Sequence, residues 1–487
     1  MKKLIFLSIV FLPALLAAQR VVVSDEISIR DDVSYYLLDD RRGNLLFFHD
    51  LGTRFEVQGL DEHLRQQWEK DIELDKKRPE IVDVTSVGGD FCVLYTFRDR
   101  GKTILKAHRY NPGANLVDSV TIKNFGSVFH KPDFEVEYSQ DGRIALLWSV
   151  EDHEKITAMA FHLGQMKLLW EREIIPDNFI YARDFSQLLV DNNGNMYLVL
   201  EKANRRARQK EHHLEILECR GEEAGQLKRY TVDMQGHLTY DVLFKFDNLN
   251  RSLVAGGLYG DDNTASANGL FFLSIAHDNP NQQVLKFHPF EKDFVNILLE
   301  KNRNKNKGLT EVKVQEIVLR RDGGILLVGE LAKEFVRGGS TSAYQGRTGI
   351  RPIVDYYYDD LFLVSLHPDG ALHWKNILHK KQYSQDDAAV YSSYFLVKTP
   401  SALRFVFNDE VKYQNTVSEY IVRGNGEYDR NAVMNTEQKD LSIRFRDGVQ
   451  ISAHSFIAPS ERRHKVKVVK VEFAPPGEGG WGVETGN

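Results

Sequence analysis

Six consecutive residues carry the most suggestive chemistry in the chain: Asp355, Tyr356, Tyr357, Tyr358, Asp359 and Asp360. Phenol rings stack on a sugar ring or a peptide, and flanking carboxylates accept hydrogen bonds from its polar edge. These residues close a long Gly-, Ser- and Arg-rich stretch, VRGGSTSAYQGRTGIRPIVDYYYDD, spanning 336–360. A long insertion in a compact repeat is more often functional than neutral. The plainer reading packs one or two of the tyrosines in a strand that begins there. A second stretch, HKKQYSQDDAAVYSS at 379–393, adds Tyr383, Asp386 and Asp387. Paired aspartates can hold calcium or share acid and base work. Calcium loops place oxygen ligands at alternating positions, and QDDAA does not, so turn capping is the expected role there. The run DNNGN (191–195) has its Gly fourth, not sixth, and reads as a hairpin turn. No zinc-protease, thiol-redox, nucleophile-elbow or phosphate-loop motif occurs. The pair in EHH (211–213) is expected at a solvated hairpin tip. The expected ligand-binding set is therefore Asp355, Tyr356, Tyr357, Tyr358, Asp359, Tyr383, Asp386 and Asp387. No catalytic residue, metal or cofactor is expected.

These residues need a scaffold, and the chain writes one repeatedly. Turn clusters followed by five to seven apolar residues occur eight times. They include RRGNLLFFHD, QDGRIALLWSV, NNGNMYLVLEK, RDGGILLVGEL and RDGVQISAHSF. Gly and Asn supply positive φ in the turn, and branched residues suit the pleat. Most units have a strand before (VSYYLLDD, VQEIVLRR) and a third strand after (RFEVQGLD, DLFLVSLH). A fourth opens with tryptophan: WEKDI at 68–72, WEREI at 170–174 and WKNIL at 374–378. Trp68, Trp170 and Trp374 should therefore occupy equivalent, largely buried outer-strand positions.

Four short antiparallel strands per unit, recurring roughly every 45–55 residues, predict an all-β fold, a single β-propeller. Eight four-stranded blades fit the count. Seven would result if the terminal strands merged into one closing blade. The loop after a blade's second strand and the connection to the next blade emerge on one face, so 336–360 and 379–393 should border one surface. One amphipathic stretch, 290–308, reads as a short helix between blades five and six, with Phe290, Phe294, Ile297 and Leu298 at helical spacing.

The segment DLFLVSLHPDGALHWKNIL (360–378) resembles the blades of secreted bacterial β-propellers, in particular those of the quinone-binding type. The resemblance implies the fold. The Ca-ligating and catalytic carboxylates of the quinone enzymes have no counterparts placed in this sequence. The Gly-His and Trp-Asp signatures of another propeller class are absent, and HPDGALHW departs from the sialidase box.

The first residues, MKKLIFLSIVFLPALLAA, have the charged, apolar and small-residue order of a secretory signal peptide over 1–18. The propeller is expected over 19–473, and a flexible Pro- and Gly-rich tail over 474–487. A formal net charge of -6 argues against nucleic acid as a partner. No second apolar run is long enough to span a bilayer, so no transmembrane segment is expected in the mature chain. Two cysteines, Cys92 and Cys219, exclude a disulfide framework and leave open whether they pair. These features together predict an exported, non-catalytic module that binds a protein or glycan of the bacterial cell envelope. It would reside in the periplasm, at the outer membrane or outside the cell. A propeller enzyme (carbohydrate or ester hydrolase, or lyase) with channel carboxylates is the alternative, and a passive scaffold subunit is a third.

Overall fold

In the computed structural model, residues 19–29, 34–39, 44–52, 54–75, 79–128, 131–205, 211–221, 227–300, 308–337, 353–411 and 416–473 are described. The expected signal peptide (1–18), the expected flexible tail (474–487) and residues 338–352 lie outside them. The described residues form eight antiparallel sheets of at least four strands, arranged as an eight-bladed β-propeller. Blade one is typical, running Tyr35–Asp39, Leu45–Asp50, Phe55–Leu60 and Gln66–Ile72 from the axis outward.

The merger of the chain ends does occur, and the count is still eight. Blade eight takes Val449–Ser452, Ser455–Arg462 and Lys465–Glu472 from the end of the chain and its outer strand, Arg20–Val23, from the beginning. Arg20 pairs with Glu472 and Val23 with Val469. The eighth turn of the sequence is also shifted. Asp447 and Gly448 precede the inner strand, and the hairpin into the second strand is at Ala453 and His454.

Apolar residues form eight cores, one between each pair of neighbouring blades. Strand periodicity divides each blade between two of them. Leu46 and Phe48 face blade two, whereas Leu45 and Phe47 face blade eight. Both faces being covered, the second strands read as continuous apolar runs rather than alternating ones. Cys92 and Cys219 are buried free thiols in different cores, and burial pushes the Cys92 thiol up to about 12. The helix Lys292–Leu298 packs on the core between blades five and six through Phe294, Val295 and Leu298. Ile297 faces solvent, so the apolar stripe runs through Val295 instead.

All three tryptophans occupy equivalent outer strands. Each lies beside a β-bulge, opposite Gly59, Ala160 and Ser365 of the third strand. Their burial differs from expectation. Trp170 is buried at 7% exposure, but Trp68 and Trp374 are only half-buried.

The inner strands carry a second recurrent device. In blades two, four, five and six a bulge falls just before one polar residue: Asp83, Gln187, Asp241 and Glu316. Each of these side chains reaches the next blade's inner strand. Asp83 accepts from the Tyr138 hydroxyl. Gln187 pairs with both the N–H and the carbonyl of Phe244, at 2.8 and 3.2 Å. Asp241 accepts from the Val314 N–H at 2.7 Å, and Glu316 from Lys398 Nζ at 2.6 Å. Where the contact is to backbone, it satisfies polar groups that have no further strand on the axial side.

Candidate functional site

The insertion and the connection meet directly. In blade six the second and third strands, Ile325–Arg337 and Ile353–Leu366, run past the blade as a two-stranded ribbon. A bulge near Leu331 marks where the ribbon departs from the blade. The 379–393 connection adds a third strand, Gln382–Gln385, which pairs Tyr357 with Tyr383 and Asp355 with Gln385. The two stretches thus border one surface, as loop order required.

The foot of the connection is pinned by a buried ion pair. Lys380 Nζ lies 2.6 Å from Glu330 Oε1, and both side chains are fully shielded from solvent. Lys380 also donates to the Tyr358 carbonyl and to Gln382 Oε1, each at 3.0 Å. Ser393 Oγ donates to the other Glu330 oxygen at 2.7 Å. Burial pushes the Lys380 ammonium down, and Glu330 opposes it. The Gln382 amide ties the connection to the Ser393 and Asn408 carbonyls, at 3.2 and 2.7 Å.

The expected binding residues divide by what their polar atoms already hold. Asp355 is buried and accepts from Arg337 Nη2 at 2.6 Å and from the Tyr383 hydroxyl at 2.8 Å. Arg337 holds its carboxyl below the usual carboxylate range. Asp386, at φ +53°, exchanges hydrogen bonds with the Val354 backbone. Asp387 caps the turn, accepting from Ser384 Oγ and the Ala389 N–H at 2.8 and 2.9 Å. Tyr356 packs with Ala332, Tyr358 and Ala389. Tyr357 is half-exposed, with its ring 5.1 Å from that of Tyr383.

Tyr357 and Tyr358 are neighbours on one strand and therefore point to opposite faces of the ribbon. Each lines a different cavity. Tyr357 borders a cleft of ≈ 910 Å³ between blades six and seven, with Leu331, Asp359, His379 and Glu410. Nearly every charge there has a partner. Lys333 meets Glu311 at 3.2 Å, Lys381 meets Glu300 at 3.4 Å and Arg430 meets Asp409 at 2.6 Å. His379 faces Asp360 at 2.9 Å. Asp359 differs. One of its carboxyl oxygens is buried without a hydrogen-bond partner, and burial raises its pKa against the pull of Lys380 and Lys381.

Tyr358 borders a second cavity of ≈ 600 Å³ on the axial side, with Lys313, Glu316, Lys398, Arg446 and Gln450. The Arg446 guanidinium sits 4.6 Å above the buried Tyr358 ring.

Sequence reasoning missed Glu330, Lys380, His379 and Arg446. The available signal was slight: one Glu inside the apolar run ILLVGEL. It also misjudged EHH. His212 is buried, its ring nitrogens meeting the Lys202 carbonyl and Thr239 Oγ1 at 2.8 Å each. Burial lowers its pKa to about 4. The DNNGN run is the expected turn, with Asp191 accepting from the Asn193 and Asn195 N–H groups at 2.9 and 2.8 Å.

No family model and no curated protein matches the chain. Solved structures similar to it include the polysaccharide lyase Uly1, at 8% identity and TM-score 0.43, covering 93% of this chain and 100% of that one. BamB from Moraxella catarrhalis matches at 11% identity and TM-score 0.41, with 93% and 100% coverage. Porphyromonas gingivalis dipeptidyl peptidase 4 matches at 11% identity and TM-score 0.45, with 88% and 56% coverage. These likenesses assign neither activity nor partner.

Proposed function

We propose that the chain is an exported, non-catalytic propeller that captures a protein or glycan of the bacterial cell envelope at the rim between blades six and seven. The observation that carries this reading is the three-stranded ribbon, which holds Tyr357 and Tyr383 together at the edge of the ≈ 910 Å³ cleft. Rigid aromatic rings beside a concave polar wall give a ligand contact area at low entropic cost. The charged–apolar–small order of residues 1–18 supports export. Among the described residues no cluster of His, Cys, Asp or Glu has metal-site geometry.

Removing 338–352 and closing the ribbon with a short turn should abolish capture of the envelope ligand while the melting temperature stays nearly unchanged. Retained capture would remove the ribbon from the site, and an unfolded variant would make it structural. Tyr357→Ala should weaken capture without unfolding the protein.

The enzyme reading has one observation in its favour, the raised pKa of Asp359 in the same cleft as the Asp360–His379 pair. Turnover of a glycan or ester that is lost in Asp359→Asn would establish it in place of the binding reading.

A further inference from the structure

The axial cavity beyond Tyr358 is unbalanced in charge. Its lining holds three cations, Lys313, Lys398 and Arg446, and one acid, Glu316. A further cation, Lys245 on the inner strand of blade five, approaches that same acid. Lys398 Nζ lies 2.6 Å and Lys245 Nζ 3.6 Å from Glu316 Oε1. One carboxylate thus serves two ammonium groups, and the positive potential of Lys398 helps to depress the Lys245 pKa, after burial. Arg446 forms no ion pair among the described residues, and Lys313 none within 4 Å, although Lys313 acts at longer range on the Asp241 carboxyl of blade five. In a concave site with low-dielectric walls, such an excess focuses positive potential.

Arg446 is also positioned. Its guanidinium carbon lies 4.6 Å from the centroid of the Tyr358 ring, a cation–π contact that holds the group at the cavity wall. A planar fork matches a carboxylate in two-point geometry. Gln315, Gln450 and Ser393 also line the cavity, the Ser393 hydroxyl already donating to Glu330. Gln450 is already engaged with the Lys398 backbone.

We propose that this cavity, at the inner strands of blades six to eight, binds the carboxylates of an acidic polypeptide segment. A polypeptide is favoured over an acidic glycan because the cavity's rings are already engaged. Tyr358 carries Arg446, Phe395 packs on Phe456 at 5.2 Å, and Tyr394 on Phe405 at 5.3 Å. A sugar would find little bare aromatic face to stack on. The site is separate from the rim cleft, since the ribbon stands between Tyr357 and Tyr358.

The test is titration of the full mature chain with a fluorescent, end-capped oligo-aspartate. Wild-type protein should bind it, and the Kd should rise steeply with salt up to about 0.15 M. Arg446→Gln combined with Lys313→Gln should weaken binding by about tenfold or more. Both residues are exposed, so the melting temperature should hold. Glu316→Gln should tighten binding, because it removes the competing carboxylate. Absence of binding to wild type, or identical affinity in the double variant, would overturn the proposal. Tighter binding of an oligogalacturonate than of the oligo-aspartate would also overturn it, in favour of a glycan. Removing 338–352 should leave oligo-aspartate binding intact. The anion site and the rim site can therefore fail independently.

Discussion

Two blade junctions use the same residue in different ways. Between blades three and four, Trp170 donates its indole N–H to the Gly194 carbonyl at 2.7 Å. Between blades six and seven, Trp374 donates to the Gly424 carbonyl at 2.9 Å. Strand, bulge and bond type match, yet only Trp170 is buried. The difference lies in what receives the ring. Trp170 is met by two turns of blade four, at Gly194 and Gly221, with a side chain's Cβ on Gly221 falling 3.0 Å from the indole. Trp374 lies on one turn, over Gly426, beside the exposed residues Arg423, Asn425 and Glu427. The junction between blades six and seven has an apolar core of its own, but it also encloses the Glu330–Lys380 pair. An outer-strand tryptophan is thus core or rim according to the neighbour's turns. The blade bearing the ribbon therefore relies in part on that buried ion pair.

The largest expected effect tests that reliance. Lys380→Met should cost about 3–5 kcal/mol, because it strands Glu330 in the interior. Adding Glu330→Leu should restore most of that loss. Denaturant midpoints of the two single variants and the double measure it, and additive losses would show the pair to be no unit. Next comes Trp170→Ala, expected to cost about 3 kcal/mol for a buried ring and its cavity. Trp374→Ala should cost about 1–2 kcal/mol, since only part of its apolar surface leaves water. Equal losses at the two positions would break the comparison.

Acid should separate the same two regions more weakly. His108 and His212, in blades two and four, have pKa values lowered to about 4 by burial. The unfolded chain binds their protons nearer pH 6.5, so it gains protons first as pH falls. Stability should therefore decline from about pH 6.5 to about pH 4. For a buried carboxyl with a raised pKa the sign reverses. Asp83 in blade two and Glu201 in blade four thus offset part of the histidine effect there. At Asp359 on the rim, no such histidine among the described residues opposes it. Asp359 has a raised pKa, so the folded state takes up that proton first and gains stability as pH falls. Hydrogen exchange across this window should show protection falling in blades two and four before it falls at the ribbon. Substituting Gln for both histidines should flatten the profile.

The fold was legible because seven of the eight blades repeat one local rule, a turn followed by an apolar second strand, and period-two alternation then feeds two cores; blade eight departs from it. Trp68, Trp170 and Trp374 could be aligned from pentapeptides alone. Their burial could not, since it depends on Gly194, Gly221 and Gly426, which lie in other blades. The expectation that Tyr357 and Tyr358 border one surface with Asp386 and Asp387 failed, because neighbours on one strand point to opposite faces. That the 336–360 and 379–393 stretches share a face followed from loop order, with no contact information. The pairing of Lys380 with Glu330 did not, because fifty residues separate them and neither sits in a motif. Inner-strand residues such as Gln187 and Asp241 were overlooked for a related reason. A bulge is an extra residue relative to a partner strand, and it shows only once the register is known.

The strand Arg20–Val23 has a consequence for the order in which the ring is made. It is made before blades one to seven, and its partner Lys465–Glu472 after them. Until Lys465–Glu472 has been made, its outer position in blade eight does not exist, and the nascent arc has two open flanks. Among the described residues the finished circle is fastened there by hydrogen bonds, by the packing of Val21, Val22 and Val23, and by ion pairs of Arg20 with Glu472 at 3.4 Å and of Glu26 with Lys465 and Lys467, with no covalent link. Force applied to Gln19 would unzip that fastening before any complete blade is disturbed. Because Arg20 lies directly opposite Glu472, a short peptide could join these positions and move the chain's opening to another blade. In such a permutant every blade except the newly cut one would be built from contiguous sequence.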